Sequence, residues 1–349
     1  MTVSETLEFA IDGKPLFCSP YGSGHINATY LVLDDTARLY ILQKINQNVF
    51  RDVGGLMSNI NLCCRHLEKK GLGFREALKL IPTKSGEAYH VNESGDAFRM
   101  YAFVSDSTAF QVPRLDIMEE AGLAVGRFLG LLSDFGASRL TETIPYFHNT
   151  PKRFVALAQA VESDAANRAA QAKPEIEFAM KRAGFASALT SLQESGELPT
   201  RVTHNDTKLN NILFDRESLK ALCVIDLDTI MPGLVAYDFG DAIRTGANTA
   251  EEDERDLAKV QFSLELYHAY AKGFMGAFGE RLTESEKKHL PTGAKMMTFE
   301  CGIRFLTDYL SGDTYFKSHR EKHNLDRCRT QFKLVEEMER NWDKMSLQP

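Results

Sequence analysis

The residues that could do chemistry gather between positions 204 and 228. His204-Asn205-Asp206-Thr207-Lys208-Leu209-Asn210-Asn211 puts a carboxylate, a lysine two residues on and an amide five residues on in one polar loop. That spacing suits phosphoryl transfer. Asp206 meets an attacking hydroxyl and accepts its proton. Lys208 neutralises charge on the group in flight, and Asn211 offers a neutral oxygen to a magnesium ion bridging the phosphates. A polar turn also favours Asp and Asn, so the loop needs a second signal. Ala221 to Ile225 is an apolar strand run that ends in Asp226, 20 residues after Asp206, with Asp228 in the same turn. A carboxylate leaving a strand just behind the base is where such a site holds its metal. Asp226 is therefore the expected metal ligand, and Asp228 is expected to assist it or to contact the acceptor.

Two other motifs compete. Asp238-Phe239-Gly240 spells the metal-binding triplet of protein kinases, but it stands 32 residues after Asp206 and follows no apolar strand. Its aspartate is expected to brace the catalytic loop by hydrogen bonding. Val224-Ile225-Asp226-Leu227-Asp228-Thr229 matches the D-x-D-x-T motif of haloacid-dehalogenase-type phosphatases, with Asp226 as nucleophile and Asp228 as general acid/base. That motif normally opens its domain, whereas here only a mainly helical stretch follows. A catalytically dead scaffold is a third class, against which the intact Asp206, Asn211 and Asp226 speak. His319 and His323, four apart in a charged stretch, read as a solvated surface.

The elements that must position these groups follow from periodicity. Ala28–Asp34 and Arg38–Ile45 read as a hairpin. Leu56–Lys70 is a helix stopped by Gly71. Further strands are expected around Tyr89 and over 97–104. Beyond that the chain reads as helical over 117–132, 154–170, 175–192, 251–278, 284–310 and 325–340, interrupted by strand-like segments at 202–203, 211–214 and 219–227. Strands first and helices after, without βαβ alternation, make an α+β chain in two lobes. The formal net charge of −7 argues against a general nucleic-acid or anionic-membrane binder. No apolar run has the length of a membrane span. Acids at the N-terminus give no sign of a secretory signal, and six scattered cysteines without a Cys-x-x-Cys pair read as reduced and cytoplasmic.

His204, Asp206 and Asn211 followed by Ile225-Asp226, Gly233 and Asp238 resemble the double signature of the aminoglycoside phosphotransferase and choline kinase superfamily. Longer blocks are similar to N-acetylhexosamine 1-kinases: Tyr21–Asn27, Tyr40–Gln43, Leu140–Ile144, Arg201–Leu213, Ile225–Gly233 and Glu300–Leu306. The resemblance runs from about residue 20 to about residue 335. It implies a protein-kinase-like fold, with a small antiparallel sheet and a helix in an N-lobe of residues 1–104 and a mainly helical C-lobe of residues 105–349. ATP and Mg2+ would be the cofactors, with ATP in the cleft.

The resemblance also assigns residues. Gly22 and Gly24 would form the loop over the phosphates, where glycine lets backbone N–H groups approach oxygens closely. Tyr101, Ala102 and Phe103 would form the linker that offers backbone groups to adenine. One departure stands out. The lysine that kinases place on the third strand aligns here with Gln43, followed by Lys44. Strand side chains alternate, so only one of the two faces the cleft. His25, Asp228, Arg304 and Tyr315 would contact the acceptor, with Arg304 alternatively paired to a carboxylate. His148 reads as a helix-entry residue. The expected activity is ATP-dependent phosphorylation of an N-acetylhexosamine at O1, with another small alcohol of the superfamily as the alternative. The expected state is a monomer.

Overall fold

The computed structural model describes residues 4–22 and 26–347. Three strands, β1 (Pro15–Pro20), β2 (Ala28–Asp34) and β3 (Leu39–Lys44), form an antiparallel meander. The β2–β3 turn is tied by Asp34, whose Oδ1 accepts the backbone N–H groups of Thr36 and Arg38 at 3.0 and 2.8 Å. Helix α1 (Val53–Glu68) starts at Asp52, whose side chain accepts the Gly55 N–H, as an N-cap should. It buries Leu56, Ile60, Cys63, Cys64 and Leu67, the face read from their spacing.

Short strands β4 (Leu80–Ile81) and β5 (His90–Val91) flank β6 (Ala97–Ala102), and the sheet runs β1-β2-β3-β6-β4 with β5 also on β6. All six residues of β6 are buried. Both faces of this strand are therefore covered, although it contains Arg99. The edge strand β1 is absent from the sequence expectation because its flanking prolines mask it. Proline is tolerated at an edge, where no ladder donor is required.

The chain then enters the helical lobe. β7 (Ser107–Thr108) leaves the large sheet to pair with β9 (Ile212–Asp215), which also pairs with β10 (Ala221–Val224). Helices α2 (Leu115–Leu132), α3 (Thr150–Ser163), α4 (Lys173–Met180) and α5 (Ala188–Glu194) come between. The single helix expected over 175–192 is thus two, joined by a 3₁₀ turn containing Gly184. β8 (Arg201–Thr203) pairs with β11 (Met231–Gly233) and leads into the polar loop.

Helices α6 (Val235–Gly246), α7 (Leu264–Phe278), α8 (Glu284–Leu310) and α9 (His323–Arg340) complete the lobe. α6 was not expected, and the helix expected from 251 begins only at 264. Glu252 pairs with Arg244 and Arg327, and Asp253 with Arg320 and His323. Asn248 bridges to Phe262. These ties hold 248–262 as a bent loop, and Ser263 caps α7. His323 is therefore not on a solvated surface. It is buried, with Nε2 on Asp253 at 3.0 Å.

α6 crosses α8 closely. A Cβ on Gly240 would lie 2.3 Å from the Gly293 carbonyl oxygen, so only glycine permits the approach. Phe239, beside it, is fully buried, edge-on to Tyr267, Tyr270 and Phe274 at ring distances of 5.3–5.9 Å.

Candidate active site

The polar loop between β8 and β9 is held from behind by Asp238 of α6. Its two carboxylate oxygens accept the backbone N–H groups of His204 at 2.8 Å and Asn205 at 2.6 Å. Asp238 is fully buried, and burial pushes its carboxyl up to about 6 even though His204 and both amides pull it down. The brace expected of Asp238 is what the structure contains. His204 is also buried. Its Nε2 faces the Ile225 carbonyl at 2.9 Å and its Nδ1 faces the Asp206 N–H at 3.2 Å. The carbonyl must receive a proton and the amide must give one, so the tautomer carries hydrogen on Nε2. Asn205, at φ 64°, and Thr229 close the loop through Asn205 Nδ2 to the Thr229 carbonyl and Thr229 Oγ1 to the His204 carbonyl.

This frame leaves Asp206 facing the cleft with 27% of its side chain exposed. Its carboxylate accepts from Lys208 Nζ at 2.7 Å and Asn211 Nδ2 at 2.8 Å. Burial alone would raise the Asp206 carboxyl. The Lys208 ammonium and the Asn211 amide outweigh it and hold the group below the usual carboxylate range. Lys208 is correspondingly raised, with Asp206 the largest favourable influence against burial. Because the Asn211 amide nitrogen turns to Asp206, its Oδ1 is left over.

Asp226 leaves β10 at φ 64°, a left-handed conformation that Asp tolerates better than most residues. The neighbouring Ile225 N–H donates to the Asn211 carbonyl at 2.9 Å, tying the two chain segments together. Burial, then repulsion from Asp228 and Asp206, pushes the Asp226 carboxyl up to about 6, although Lys208 and Arg99 pull it down. A desolvated carboxylate crowded by two others fits a place for a cation. Asn211 Oδ1 and one Asp226 carboxylate make a sparse set of hard donors. That fits magnesium, which keeps waters and phosphate oxygens as its other ligands. Among the described residues no cluster of three His, Cys, Asp or Glu forms a complete protein-only cage.

Asp228, expected to assist the metal or to contact the acceptor, is engaged with the sheet. It is 6% exposed at its side chain and ion-paired to Arg99. Its other oxygen accepts from Asn27 Nδ2 at 2.5 Å. Both oxygens are committed, and both partners come from the sheet. Gln43 lies opposite Arg99 in the β3–β6 ladder and accepts from Arg99 Nε at 2.9 Å, while its own amide donates to Thr29. Lys44 is paired with Asp96 at 2.6 Å. Gln43 therefore joins Arg99 beside the carboxylates, and Lys44 leaves the set. Arg99 and Asn27 went unnoticed in the sequence. An arginine inside the otherwise apolar run Ala97-Phe98-Arg99-Met100-Tyr101-Ala102 was the available signal.

At the nucleotide end, Gly22 follows β1 at φ 77° with open space around it. Gly24 and His25 lie outside the described residues. Tyr101 is the fifth residue of β6 and is buried, with a hydroxyl that has no hydrogen-bond partner among the described residues. The N–H groups of Ala102 and Phe103 already donate to the Lys79 and Leu39 carbonyls at 2.9 and 3.2 Å. Of the backbone groups expected to face a base, these two donors are thus already engaged. The Phe103 ring instead stands edge-on to Tyr21 at 5.9 Å, forming an aromatic wall beside the glycine turn.

His148 precedes α3, and its side chain is buried. Its Nδ1 faces Glu300 of α8 at 2.9 Å and its Nε2 faces the Asn205 carbonyl at 3.3 Å. It is a helix-entry residue and also ties α8 to the catalytic loop. One turn beyond Glu300, Arg304 lines a cavity of about 220 Å³ with Arg153, Asp308, Thr314, Tyr315 and Phe316. Among the described residues Arg304 has no carboxylate within ion-pair distance. Its guanidinium lies 5.4–5.9 Å from the rings of Phe147, Tyr315 and Phe316. Burial and the Arg304 charge lower Arg153. Asp308 accepts the N–H groups of Thr314, Tyr315 and Phe316 and so fixes the loop carrying Tyr315, which is 69% exposed.

Residues 18–272 match the model of the phosphotransferase enzyme family. In fold, the chain is similar to an aminoglycoside phosphotransferase from Alicyclobacillus acidocaldarius, at 12% identity and TM-score 0.66, over 99% of this chain and 95% of the other. A microcompartment-associated aminopropanol kinase aligns at 15% identity and TM-score 0.60, over 99% and 98% of the two chains. An amicoumacin kinase seen with AMP-PNP, Ca2+ and its antibiotic aligns at 14% identity and TM-score 0.57, over 90% and 87%. At such identities the likeness speaks to the fold. Among the described residues no helix is long and apolar enough to cross a membrane.

Proposed function

Because the chain belongs to the phosphotransferase enzyme family, we propose that it moves the γ-phosphoryl group of ATP to a small alcohol, namely the anomeric hydroxyl of an N-acetylhexosamine, giving the sugar 1-phosphate. The observation that carries the reading is Asp206, an ionised carboxylate open to the cleft and clamped between Lys208 and Asn211. Asp206 orients the acceptor hydroxyl and takes its proton. A carboxylate held low is a weak base while Lys208 stays on it. Turning the ammonium to the incoming phosphoryl would restore its basicity and neutralise the transferred charge. An anomeric hydroxyl is more acidic than an ordinary alcohol, which suits so modest a base. Asn211 and Asp226 would hold magnesium, which when bound neutralises charge on the phosphates. Most of the rate then comes from positioning and charge neutralisation.

The choice of a sugar rests on the Arg304–Tyr315 cavity and on the blocks that resemble N-acetylhexosamine 1-kinases. An arginine without a carboxylate and an anchored tyrosine suit a polyhydroxylated ring with a flat acetamido group. The test is ATP consumption across N-acetylglucosamine, N-acetylgalactosamine, choline, ethanolamine and aminoglycosides, with phosphorus NMR of the product. A 1-phosphate couples to the anomeric proton. Turnover confined to choline, ethanolamine or aminoglycosides, or coupling to the C6 protons, would leave the family standing and remove the substrate.

A further inference from the structure

Arg99 is the least expected residue in the molecule. It is 1% exposed, in the middle of a strand whose other residues are apolar. A guanidinium cannot be deprotonated, so it needs compensation when buried. Two of its nitrogens are engaged: Nε donates to Gln43 and Nη1 is paired with Asp228. Nη2 has no protein partner among the described residues.

Compensation by Asp228 alone would make Arg99 a structural ion. Two observations go further. Gln43, which holds Nε, occupies the strand position where kinases carry their phosphate-binding lysine. The charge therefore has not vanished from this part of the sheet; it has moved to the residue opposite on the next strand. Arg99 Nη1 is also paired with Asp228, in the same turn as Asp226, which puts the guanidinium beside the turn that carries the proposed metal ligand. The strand lysine of a kinase is paired with a helix glutamate. Here the counter-ion is Asp228, two residues beyond the proposed metal ligand, and Asn27 of β2's approach holds its other oxygen.

We propose that Arg99, held by Gln43 and Asp228, is the phosphate-binding cation of this enzyme, replacing the third-strand lysine with a guanidinium delivered from the neighbouring strand. The proposal rests on the phosphotransferase reading and is independent of which acceptor is used. With Nε and Nη1 held, Nη2 is the donor left for a phosphate oxygen, and the charge stays on the group because a guanidinium does not deprotonate.

The test is nucleotide binding by calorimetry, without acceptor, comparing ATP with adenosine. Arg99→Met alone would strand a buried Asp228 and could unfold the chain. The working variant is therefore Arg99→Met with Asp228→Asn, which removes both charges. ATP should bind about 10- to 100-fold more weakly in it, the loss of charged hydrogen bonds, while adenosine affinity and melting temperature stay near wild type. Asp228→Asn alone keeps the guanidinium and should bind ATP at least as tightly as wild type. An unchanged ratio of ATP to adenosine affinity in the double variant would overturn the proposal. So would equal weakening in Asp228→Asn alone. Wild-type protein that binds adenosine but gains nothing from the triphosphate would overturn both this proposal and the kinase reading.

Discussion

The catalytic loop and the acceptor cavity are built on opposite plans. In the loop nearly every polar group is spoken for. Asp238 takes two amides, His204 bridges Ile225 and Asp206, Asn205 donates to the Thr229 carbonyl and Thr229 donates to the His204 carbonyl. In the cavity Arg304 has rings around it and, among the described residues, no carboxylate within ion-pair distance, and Tyr315 stands exposed on a loop fixed from below by Asp308. A satisfied site is rigid and can serve any alcohol. A site with unused donors waits for a particular ligand to complete it. On the proposed reading chemistry and choice of substrate are separable, and His148, touching both Glu300 and the Asn205 carbonyl, joins the two regions.

That separation can be broken by substitution. Asp206→Asn should show the largest effect: turnover falls by roughly 10²–10⁴-fold, while calorimetric ATP affinity stays close to wild type. Near-normal turnover would remove Asp206 as the base. Arg304→Ala should lower kcat/KM for the sugar by about 10- to 100-fold, as expected for lost charged hydrogen bonds. ATP affinity measured in the absence of sugar should not move. Equal losses for both substrates would show that cavity and loop are one unit.

Asp238→Ala should act mainly on stability. It orphans two buried amides at about 1–3 kcal/mol each, so denaturant melts should show a loss of that order while magnesium dependence persists. A well-folded variant that no longer responds to magnesium would move the metal to Asp238. The smallest effect concerns pH. The Asp226 carboxyl sits at about 6 in the folded chain and near 4 in the unfolded one. The native state therefore holds this proton to higher pH. The stability contributed is full below about pH 4 and is lost as pH rises through about 6. Asp226→Asn does not suffer that loss. In magnesium-free buffer it should melt together with wild type near pH 4 and exceed it above pH 6.5, by on the order of 3 kcal/mol. A constant gap across that range would show that the carboxyl is not raised.

How much of this could be read from sequence depends on distance along the chain. Asp206, Lys208 and Asn211 are legible because their partners lie within five residues, and Asp226 because a strand run precedes it. The β2–β3 hairpin and α1 are legible because each buries a periodic face. Arg99 was not, since its counter-ion is 129 positions away and no local rule pairs them. Nor was α6. Asp238-Phe239-Gly240-Asp241 reads as a breaker, with two aspartates and a glycine. It becomes a helix because Gly240 fits against α8 and Asp238 is consumed by the loop. The acidic run at 251–254 suggests a helix start, but Glu252 and Asp253 are taken by arginines from α6, α9 and the segment before α9.

Phe239 carries a consequence for control. In protein kinases the phenylalanine of this triplet repacks between an on and an off state. Here it is the fifth residue of a helix, packed among three aromatic rings, and dislodging it would mean unwinding α6. Only eleven residues separate Asp226 from Asp238, too few for a long activation segment between them. Repacking of this ring is therefore closed to the chain as a two-position switch unless the helix that carries it is given up.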